Sequence, residues 1–413
     1  MNRLQRISEE TVRLASLDYV RPLYDKIAWD SPLTALLGTR GVGKTTLLLQ
    51  RLKRLGLPSR QALYVDLGDI HFQQNRLFEF IEEFVATGGW YLLLDEVHRY
   101  GFGTWAQEIK QAYDVYRSKL TIVFTGSSAI RILEQEADLS RRALQFRVPG
   151  LSFREYLALA TATDLPVLSY RDILQRHEEL LGDLLSDASF RPLEHFATYN
   201  QEGYYPLFLT ERTGYASRLN VIVQSVLQAD IPAVVKQGQV NYQQIGRLLY
   251  AIASSVPFTP NISKLAARLQ MSRDTLLHYL QLLERADLIN SLRQESKGVA
   301  ALGKPDKIYL NNPNLLFALA PTQWTVGTLR ETFLLNQLNY LRYEGHFLPP
   351  EIKLPKQGDF VLLDKEDRYV FEVGGANKSS KQIGVQAGHY TVVDVERTAN
   401  PHRIPLWLFG LLY

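Results

Sequence analysis

Residues Thr34–Leu49 read TALLGTRGVGKTTLLL, an apolar run, a glycine-rich turn and a second apolar run. The turn has the spacing of a P-loop, in which glycines let backbone N–H groups and a helix N-terminus surround the phosphates of a nucleotide. Lys44 would meet the β- and γ-phosphates, and the Thr45 hydroxyl would be a ligand of the Mg²⁺ that accompanies the nucleotide. The alternative is a glycine-rich turn that binds nothing. The predicted nucleotide-binding residues are Gly38, Thr39, Arg40, Gly41, Val42, Gly43, Lys44, Thr45 and Thr46.

The composition predicts an ordinary globular chain with several domains. Its 413 residues, 46% hydrophobic and 22% charged, exceed what one core supports, so roughly two to four domains are expected. A formal charge of +3 permits nucleic-acid contact without requiring it. The absence of cysteine excludes disulfides, thiolate zinc sites and thiol catalysis. Because no apolar run has the length of a membrane span and charges interrupt Met1–Leu14, we expect no membrane contact and a cytoplasmic protein.

A second motif follows the P-loop at Trp90–Glu96, where the apolar run WYLLL ends in Asp95 and Glu96. Parallel sheets bind ligands at the carboxyl ends of their strands, so this run is typical of a Walker B strand. Asp95 would hold Mg²⁺ directly or through water, and Glu96 would orient and polarise the attacking water. The alternative is a strand that ends in a solvated acidic turn.

A third apolar run, Leu120–Phe124, is followed by Thr125, Gly126, Ser127 and Ser128. One of these hydroxyls could sense the γ-phosphate or hold the water, and the pattern does not say which. Ser127 or Ser128 could equally cap a predicted helix at Ala129–Glu136.

Two adjacent arginines, Arg141 and Arg142, come next in the chain. On a surface such a pair is usually a solvated face. In a ring or dimer, one of them could reach a neighbour's nucleotide as an arginine finger.

The segments GTRGVGKTT, YLLLDEVHRY, TGSS and LSRRALQFRVPGLSFREYL, in that order and at similar spacing, resemble a prokaryotic family of AAA-type ATPases. That family carries a C-terminal domain of unknown function that looks like a nuclease fold. The resemblance implies an AAA-type α/β core with a parallel sheet and a lid that opens at Leu151–Tyr156. It assigns Lys44 and Thr45 to Walker A, Asp95 and Glu96 to Walker B, Ser127 to sensor 1, and Arg141 or Arg142 to the finger.

The spacing between Ile245 and Leu310 predicts a winged helix, with Arg273–Ala286 as its recognition helix. DNA contact and a structural or protein-binding role are equally compatible with it, because fold alone does not decide function. Three acidic residues, Asp274, Glu284 and Asp287, would oppose DNA. The candidate phosphate contacts are Arg273, His278, Arg293, Lys297, Lys304 and Lys307.

The last segment places Glu331 in a predicted helix, and Asp359 and Glu372 in or beside two predicted strands. These carboxylates resemble the metal-binding skeleton of PD-(D/E)xK nucleases and form a possible second metal site; the alternative is solvated strand ends. Gly374 stands where that motif requires lysine, and the nearest lysines are Lys378 and Lys381. Because a displaced lysine would reach back through a flexible loop, we expect a nuclease-like fold without nuclease activity.

Together these patterns predict an α/β chain whose function is ATP hydrolysis with Mg²⁺, coupled to binding of DNA or a protein partner. One alternative is a slow P-loop switch that acts on a protein, and another is an ATP-powered, metal-dependent DNA nuclease. The protein would be a monomer or a nucleotide-dependent oligomer. The predicted domains are a helical lead-in (1–30), the ATPase core (31–150), a helical lid (151–240), a winged helix (241–312) and a degenerate nuclease-like domain (313–413).

Overall fold

The structure is a computed structural model that describes residues 2–127, 139, 141–187, 189–210, 213–235, 240–295, 304–343, 349–379, 384 and 386–413. Contacts group the chain into two compact units. Unit 1 comprises Met1–Pro149 and Ser225–Val240, and unit 2 comprises Gly150–Gln224 and Asn241–Tyr413. Each unit therefore consists of two separate stretches of chain. We refer to Ser225–Val240 as the returning segment.

Unit 1 is built on a five-stranded parallel sheet. The strands are β1 (Leu33–Gly38), β2 (Ala62–Asp66), β3 (Tyr91–Asp95), β4 (Thr121–Ser127) and β5 (Leu144–Arg147). Their order across the sheet is β2-β3-β4-β1-β5. Strands β1, β3 and β4 are buried along almost their whole length, which explains why the sequence shows continuous apolar runs and not alternation. This order brings the ends of β1, β3 and β4 to one edge of the sheet.

Helices follow most strands of unit 1. They are α1 (Asn2–Leu14), α2 (Leu23–Lys26), α3 (Lys44–Leu55), α4 (His71–Gln74), α5 (Leu77–Ala86) and α6 (Trp105–Tyr116). Helix α3 ends at Gly56, whose φ of +62° lies in the left-handed region that glycine tolerates. The core of the unit contains Phe80 and Phe84 of α5, Ile109 of α6, and Phe124 of β4.

The first part of unit 2 is helical. Its elements are α7 (Phe153–Thr161), α8 (Tyr170–Leu184), α9 (Pro192–Glu202), a 3₁₀ turn (Pro206–Leu209) and α10 (Tyr215–Ser225). Helix α7 begins with a capping box: Glu155 N donates to Ser152 Oγ at 3.1 Å, and Ser152 N donates to Glu155 Oε2 at 3.0 Å. The lid predicted to open at Leu151–Tyr156 therefore starts with a defined helix N-terminus.

The returning segment contains a π-helical turn, Val226–Asp230, and the short helix α11 (Ile231–Val234). The sequence predicts this segment at the end of the lid, whereas in the structure it groups with unit 1, where Asp230 contacts Arg40 and His98. Asp230 ends the π-helical turn and is completely buried.

The second part of unit 2 starts with three helices and an antiparallel strand pair, which is the order of elements in a winged helix. They are α12 (Tyr242–Ala253), α13 (Ile262–Arg268), α14 (Arg273–Arg285), β6 (Ile289–Leu292) and β7 (Lys307–Leu310). Side chains of Asn261 and Ser272 cap α13 and α14. The predicted contact Lys297 lies outside the described residues.

Unit 2 closes with two helices and a mixed five-stranded sheet. These elements are α15 (Pro313–Leu319), α16 (Val326–Tyr340), β8 (Glu351–Lys353), β9 (Phe360–Asp364), β10 (Asp367–Gly374), β11 (His389–Val393) and β12 (Arg403–Pro405). Strands β8, β9 and β10 are antiparallel, and β10, β11 and β12 are parallel. The predicted α/β fold with a parallel sheet is confirmed. None of the helices in the described ranges is long and apolar enough to cross a bilayer.

Candidate nucleotide-binding site

The P-loop connects the end of β1 at Gly38 to the start of α3 at Lys44. Gly41 and Gly43 have φ values of +86° and +94°, a conformation that an L side chain would strain. A Cβ at Gly38 would collide with the carbonyl oxygen of Val148. These glycines are therefore required by the turn itself, as the sequence pattern predicts.

Lys44 is buried, and its Nζ donates to the carbonyl oxygens of Gly38 at 2.9 Å and Thr39 at 3.2 Å. Burial lowers the pKa of Lys44, although the carboxylates of Glu96, Asp95 and Asp230 act in the opposite direction. The loop's own carbonyls thus hold the ammonium group inside the turn.

The other predicted loop residues occupy different environments. Val42 is buried, and its carbonyl oxygen accepts from Arg21 Nη1 at 3.2 Å. Thr46 is exposed in the first turn of α3. Arg40 bridges two carboxylates and is described below with its partners.

Asp95 ends β3 and accepts hydrogen bonds from three hydroxyl groups. Thr45 Oγ1 donates to Asp95 Oδ2 at 2.7 Å, Tyr64 OH donates to the same oxygen at 2.9 Å, and Thr125 Oγ1 donates to Asp95 Oδ1. Walker A and Walker B residues therefore meet at one carboxylate. Oxygen donors are the ligands that Mg²⁺ prefers, so Thr45 and Asp95 fit the ion that the sequence predicts.

Tyr64 is a site residue that sequence reasoning missed. It lies in β2, where residues 62–66 pair in parallel with 91–95 of β3. Burial, together with the charge of Asp95, raises the pKa of the Tyr64 phenol. The phenol is thus a neutral donor that fixes the Asp95 carboxylate. The available signal was a tyrosine near the end of a short apolar run, Ala62–Asp66.

Glu96 follows β3 with a φ of +52°, an unusual backbone conformation for a residue other than glycine. Its backbone N donates to Thr125 Oγ1 at 3.0 Å, which holds this turn in place. Its side chain is paired: Arg40 Nη2 lies 3.3 Å and His98 Nε2 3.4 Å from Glu96 Oε2. The predicted base therefore accepts a hydrogen bond from Arg40 and lies beside the buried ring of His98.

Asp230 of the returning segment completes this cluster. Arg40 Nη2 lies 3.0 Å from Asp230 Oδ1, and His98 Nε2 lies 3.4 Å from the same oxygen. Burial alone would raise the pKa of Asp230, but hydrogen bonding from His98, the charges of His98 and Arg40, and the Ser127 hydroxyl bring it below its usual value. Asp230 is separated from the P-loop by about 190 residues, so no local pattern indicates its place in the site.

The candidate sensor hydroxyls have different positions. Thr125 is fully buried and contacts both Walker B acids. Ser127 is buried at the end of β4, in register with Gly38 of β1. Ser128 and the predicted helix Ala129–Glu136 lie outside the described residues.

The candidate finger residues lie just before β5. Arg142 Nε pairs with Asp114 Oδ1 at 2.9 Å on the surface of unit 1. Arg141 is exposed. A role for either as an arginine finger stays a prediction.

The three C-terminal carboxylates influence one another, and two of them, Glu331 and Glu372, have cationic or phenolic partners. Lys307 Nζ donates to Glu331 Oε2 at 2.9 Å, and Tyr309 OH donates to the same oxygen at 2.5 Å. Burial, followed by the charge of Glu331 and a smaller effect of Glu372, raises the pKa of Asp359 to about 6. Among the described residues, no His, Cys, Asp and Glu side chains are grouped to hold a metal ion. The second metal site therefore stays a prediction, and Lys307 is engaged by Glu331.

The displaced lysine reaches back to this cluster, as the sequence analysis expects of a lysine beyond Gly374, and the absence of nuclease activity stays a prediction. Lys378 Nζ contacts Glu372 Oε1, and a Cβ at Gly374 would collide with the Lys378 side chain. The missing side chain at Gly374 gives Lys378 room to fold back over the strand. Lys381 lies outside the described residues.

Comparisons with known proteins agree with the sheet and the P-loop. Residues 30–157 match a family model described as an AAA domain, and residues 193–325 match one described as a domain of unknown function. The uncharacterized protein MJ1637 of Methanocaldococcus jannaschii is 26% identical over 372 residues, covering 85% of this chain and 77% of that protein. Unit 1 thus contains an AAA-type P-loop domain. The match over residues 193–325 adds no activity, and a nuclease-like C-terminal fold stays a prediction.

Two solved structures are similar to this chain over much of its length. A RuvB variant from Thermotoga maritima has 14% identity and a TM-score of 0.29, covering 70% of this chain and 90% of that one. AMPPCP-bound DnaA from Aquifex aeolicus has 15% identity and a TM-score of 0.25, covering 68% and 88%. TM-scores this low do not establish a shared overall fold.

Proposed function

We propose that this chain is an ATPase that binds ATP with Mg²⁺ at the P-loop and hydrolyses it. The observation that carries the proposal is the hydrogen bond of 2.7 Å between Thr45 Oγ1 and Asp95 Oδ2. It joins the Walker A hydroxyl to the Walker B carboxylate although the two residues are 50 positions apart. The AAA domain match over residues 30–157 supports the same function.

Each part of the loop has a task in binding the nucleotide. The N–H groups of the glycine-rich turn and the N-terminus of α3 would donate to phosphate oxygens, and Lys44 would exchange its two carbonyl partners for phosphate. Thr45 and Asp95 would hold Mg²⁺, which when bound neutralises charge on the phosphates. Tyr64 and Thr125 keep the Asp95 carboxylate oriented through their own hydrogen bonds.

Glu96 would orient the attacking water and accept its hydrogen bond, because phosphoryl transfer is assisted mainly by positioning and electrostatics. Its backbone is already fixed by Thr125, but its carboxylate is paired with Arg40 and His98. Hydrolysis therefore requires that Glu96 exchange these partners for water.

The proposal is tested with two variants. Lys44→Ala should abolish ATP binding measured by calorimetry, because the substitution removes the ammonium group that the turn holds in place. Unchanged affinity would refute the assignment of the P-loop. Glu96→Gln should retain ATP affinity and lose roughly a hundredfold or more in turnover. Wild-type turnover in this variant would remove Glu96 from the mechanism.

The partner of the ATPase is proposed to be DNA or a protein. Arg273 and His278 of α14, with Arg293 and Lys304 beside the strand pair, are exposed and could contact phosphates. Turnover measured with and without double-stranded DNA, across a range of protein concentrations, distinguishes the partners. Stimulation would support DNA coupling, whereas slow turnover with tightly held nucleotide and no stimulation would support a switch that acts on a protein.

A further inference from the structure

A partly buried charge cluster connects the P-loop to the returning segment. The same atom, Arg40 Nη2, lies 3.0 Å from Asp230 Oδ1 and 3.3 Å from Glu96 Oε2. His98 Nε2 lies 3.4 Å from each of these oxygens. Two carboxylates, one from Walker B and one from the returning segment, thus share the Arg40 donor and lie beside the same imidazole nitrogen.

The carboxylates of Glu96 and Asp230 leave one N–H group of the Arg40 guanidinium without a hydrogen-bond partner. Arg40 Nε is buried and donates to no acceptor among the described residues. A buried guanidinium N–H without a partner is costly, and phosphate oxygens are acceptors that arginine pairs with strongly. Since Arg40 lies between Thr39 and Gly41 of the P-loop, its unsatisfied donor indicates that the nucleotide is its missing partner.

Because Asp230 is buried, the returning segment that carries it depends on the position of Arg40. Its side chain is 0% exposed, so its charge depends on Arg40 and His98 and not on water. If Arg40 turns toward an anion, Asp230 loses part of its counter-charge and its surroundings must adjust. The returning segment is flanked on both sides along the chain by unit 2. Chain connectivity would therefore pass that adjustment to the flanking stretches.

We propose that Asp230 is a positioning residue of the hydrolytic site: it shares Arg40 with Glu96, and through this pair the returning segment responds to the bound nucleotide. The inference rests on the proposed ATPase function. Without the charge of Asp230, Arg40 pairs fully with Glu96 and keeps it from the water. With that charge, Glu96 retains only the longer of the two contacts and is released when Arg40 turns to the phosphates.

The first test is a double-mutant comparison of ATP turnover. Asp230→Asn keeps the size of the side chain and should lower kcat about tenfold with a much smaller change in KM for ATP. The double variant Arg40→Ala/Asp230→Asn lacks the arginine as well, and its kcat should be close to that of Arg40→Ala alone. The control is Asp30→Asn, which removes the ion pair between Asp30 and Arg51. The Asp30 side chain is 85% exposed, so this variant should leave kcat unchanged.

A purely structural role for Asp230 predicts a different result. The losses in the two single variants would then multiply in the double variant, because misfolding is not relieved by removing Arg40. Multiplied losses would overturn the assignment of Asp230.

The second test follows the returning segment directly by hydrogen exchange of residues 225–235. A non-hydrolysable ATP analogue should change exchange there in the wild-type chain, and not in Arg40→Ala saturated with the same analogue, with binding checked by calorimetry. An equal change in both proteins would overturn the role of Arg40 as the link. If the analogue binds to the wild-type chain but hydrogen exchange of residues 225–235 does not change, the proposed response of the returning segment is overturned and the ATPase function is not. If the analogue does not bind to the wild-type chain, both proposals are overturned.

Discussion

The raised pKa of Asp359 makes the stability of unit 2 depend on pH in a way that one substitution should remove. Asp359 Oδ2 accepts from Val373 N at 2.8 Å, and burial with the neighbouring charges of Glu331 and Glu372 raises its pKa from the ordinary 3.8 to about 6. Asp359→Asn removes the titration and keeps an oxygen that can accept from Val373 N.

The sign follows from the higher pKa in the folded state. The protonated carboxyl favours folding, so its contribution is fully present below pH 3.8 and is lost as the pH rises through about 6. Between pH 5 and pH 7 the folded carboxyl loses its proton, while the unfolded one is already ionised. The wild-type chain should therefore lose about 1 kcal/mol more of its unfolding free energy over this interval than Asp359→Asn.

The assay is urea unfolding of both proteins at pH 5 and pH 7, followed by tryptophan fluorescence. Asp364→Asn is the matched control at the other end of β9, since hydrogen bonding from Tyr170 and Arg171 lowers the pKa of Asp364. Because Asp364 is ionised at both pH 5 and pH 7, Asp364→Asn should show the same difference in unfolding free energy between the two pH values as the wild-type chain. An unchanged pH difference in Asp359→Asn would refute the reasoning.

Three further predictions concern other contacts. Tyr64→Phe removes one donor to Asp95 and should lower kcat/KM for Mg²⁺-dependent ATP hydrolysis by about tenfold, measured in steady state; no change would show that the two remaining hydroxyls suffice. Arg142→Ala breaks an exposed pair and should cost less than about 1 kcal/mol in urea unfolding. If Arg142 is a finger, the variant should also lose any dependence of specific activity on protein concentration. Lys378→Met should cost about 2 kcal/mol in urea unfolding by leaving Glu372 without its cation, and adding Glu372→Gln should recover most of it.

The parts of the site that could be predicted from sequence are those in which the chemistry is local. The P-loop needs particular φ values and a lysine at fixed spacing, so Gly41, Gly43 and Lys44 can be recognised from the sequence motif alone. Asp95 and Glu96 are legible because a buried parallel strand must be apolar until it reaches the edge where ligands bind. The α/β fold follows from the same runs.

The parts that could not be predicted depend on contacts between distant residues. Nothing adjacent to Asp230 distinguishes it from a solvated acid at the end of a helix, and only the packing of the returning segment places it against Arg40. The role of Tyr64 could not be predicted for the same reason, because it depends on which strand lies beside β3.

The C-terminal cluster shows what spacing alone leaves open. The sequence predicts that a lysine beyond Gly374 reaches back through a flexible loop, but it does not say which carboxylate that lysine meets. In the structure the chain turns after β10, and a glycine without a side chain lets Lys378 lie across the strand and contact Glu372.

The interleaving of the two units sets an order of events during synthesis. The stretch that ends at Pro149 contains every strand of the parallel sheet and the complete P-loop, whereas Asp230 is made about 80 residues later. At ribosomal rates of about 5–20 residues per second, the interval is roughly 4 to 16 s. During that time Arg40 has Glu96 as its carboxylate partner without competition from Asp230. Under the proposed mechanism, a nascent chain would therefore bind nucleotide before Glu96 can be released. A fragment cut at residue 149 should preserve that early state as a stable product.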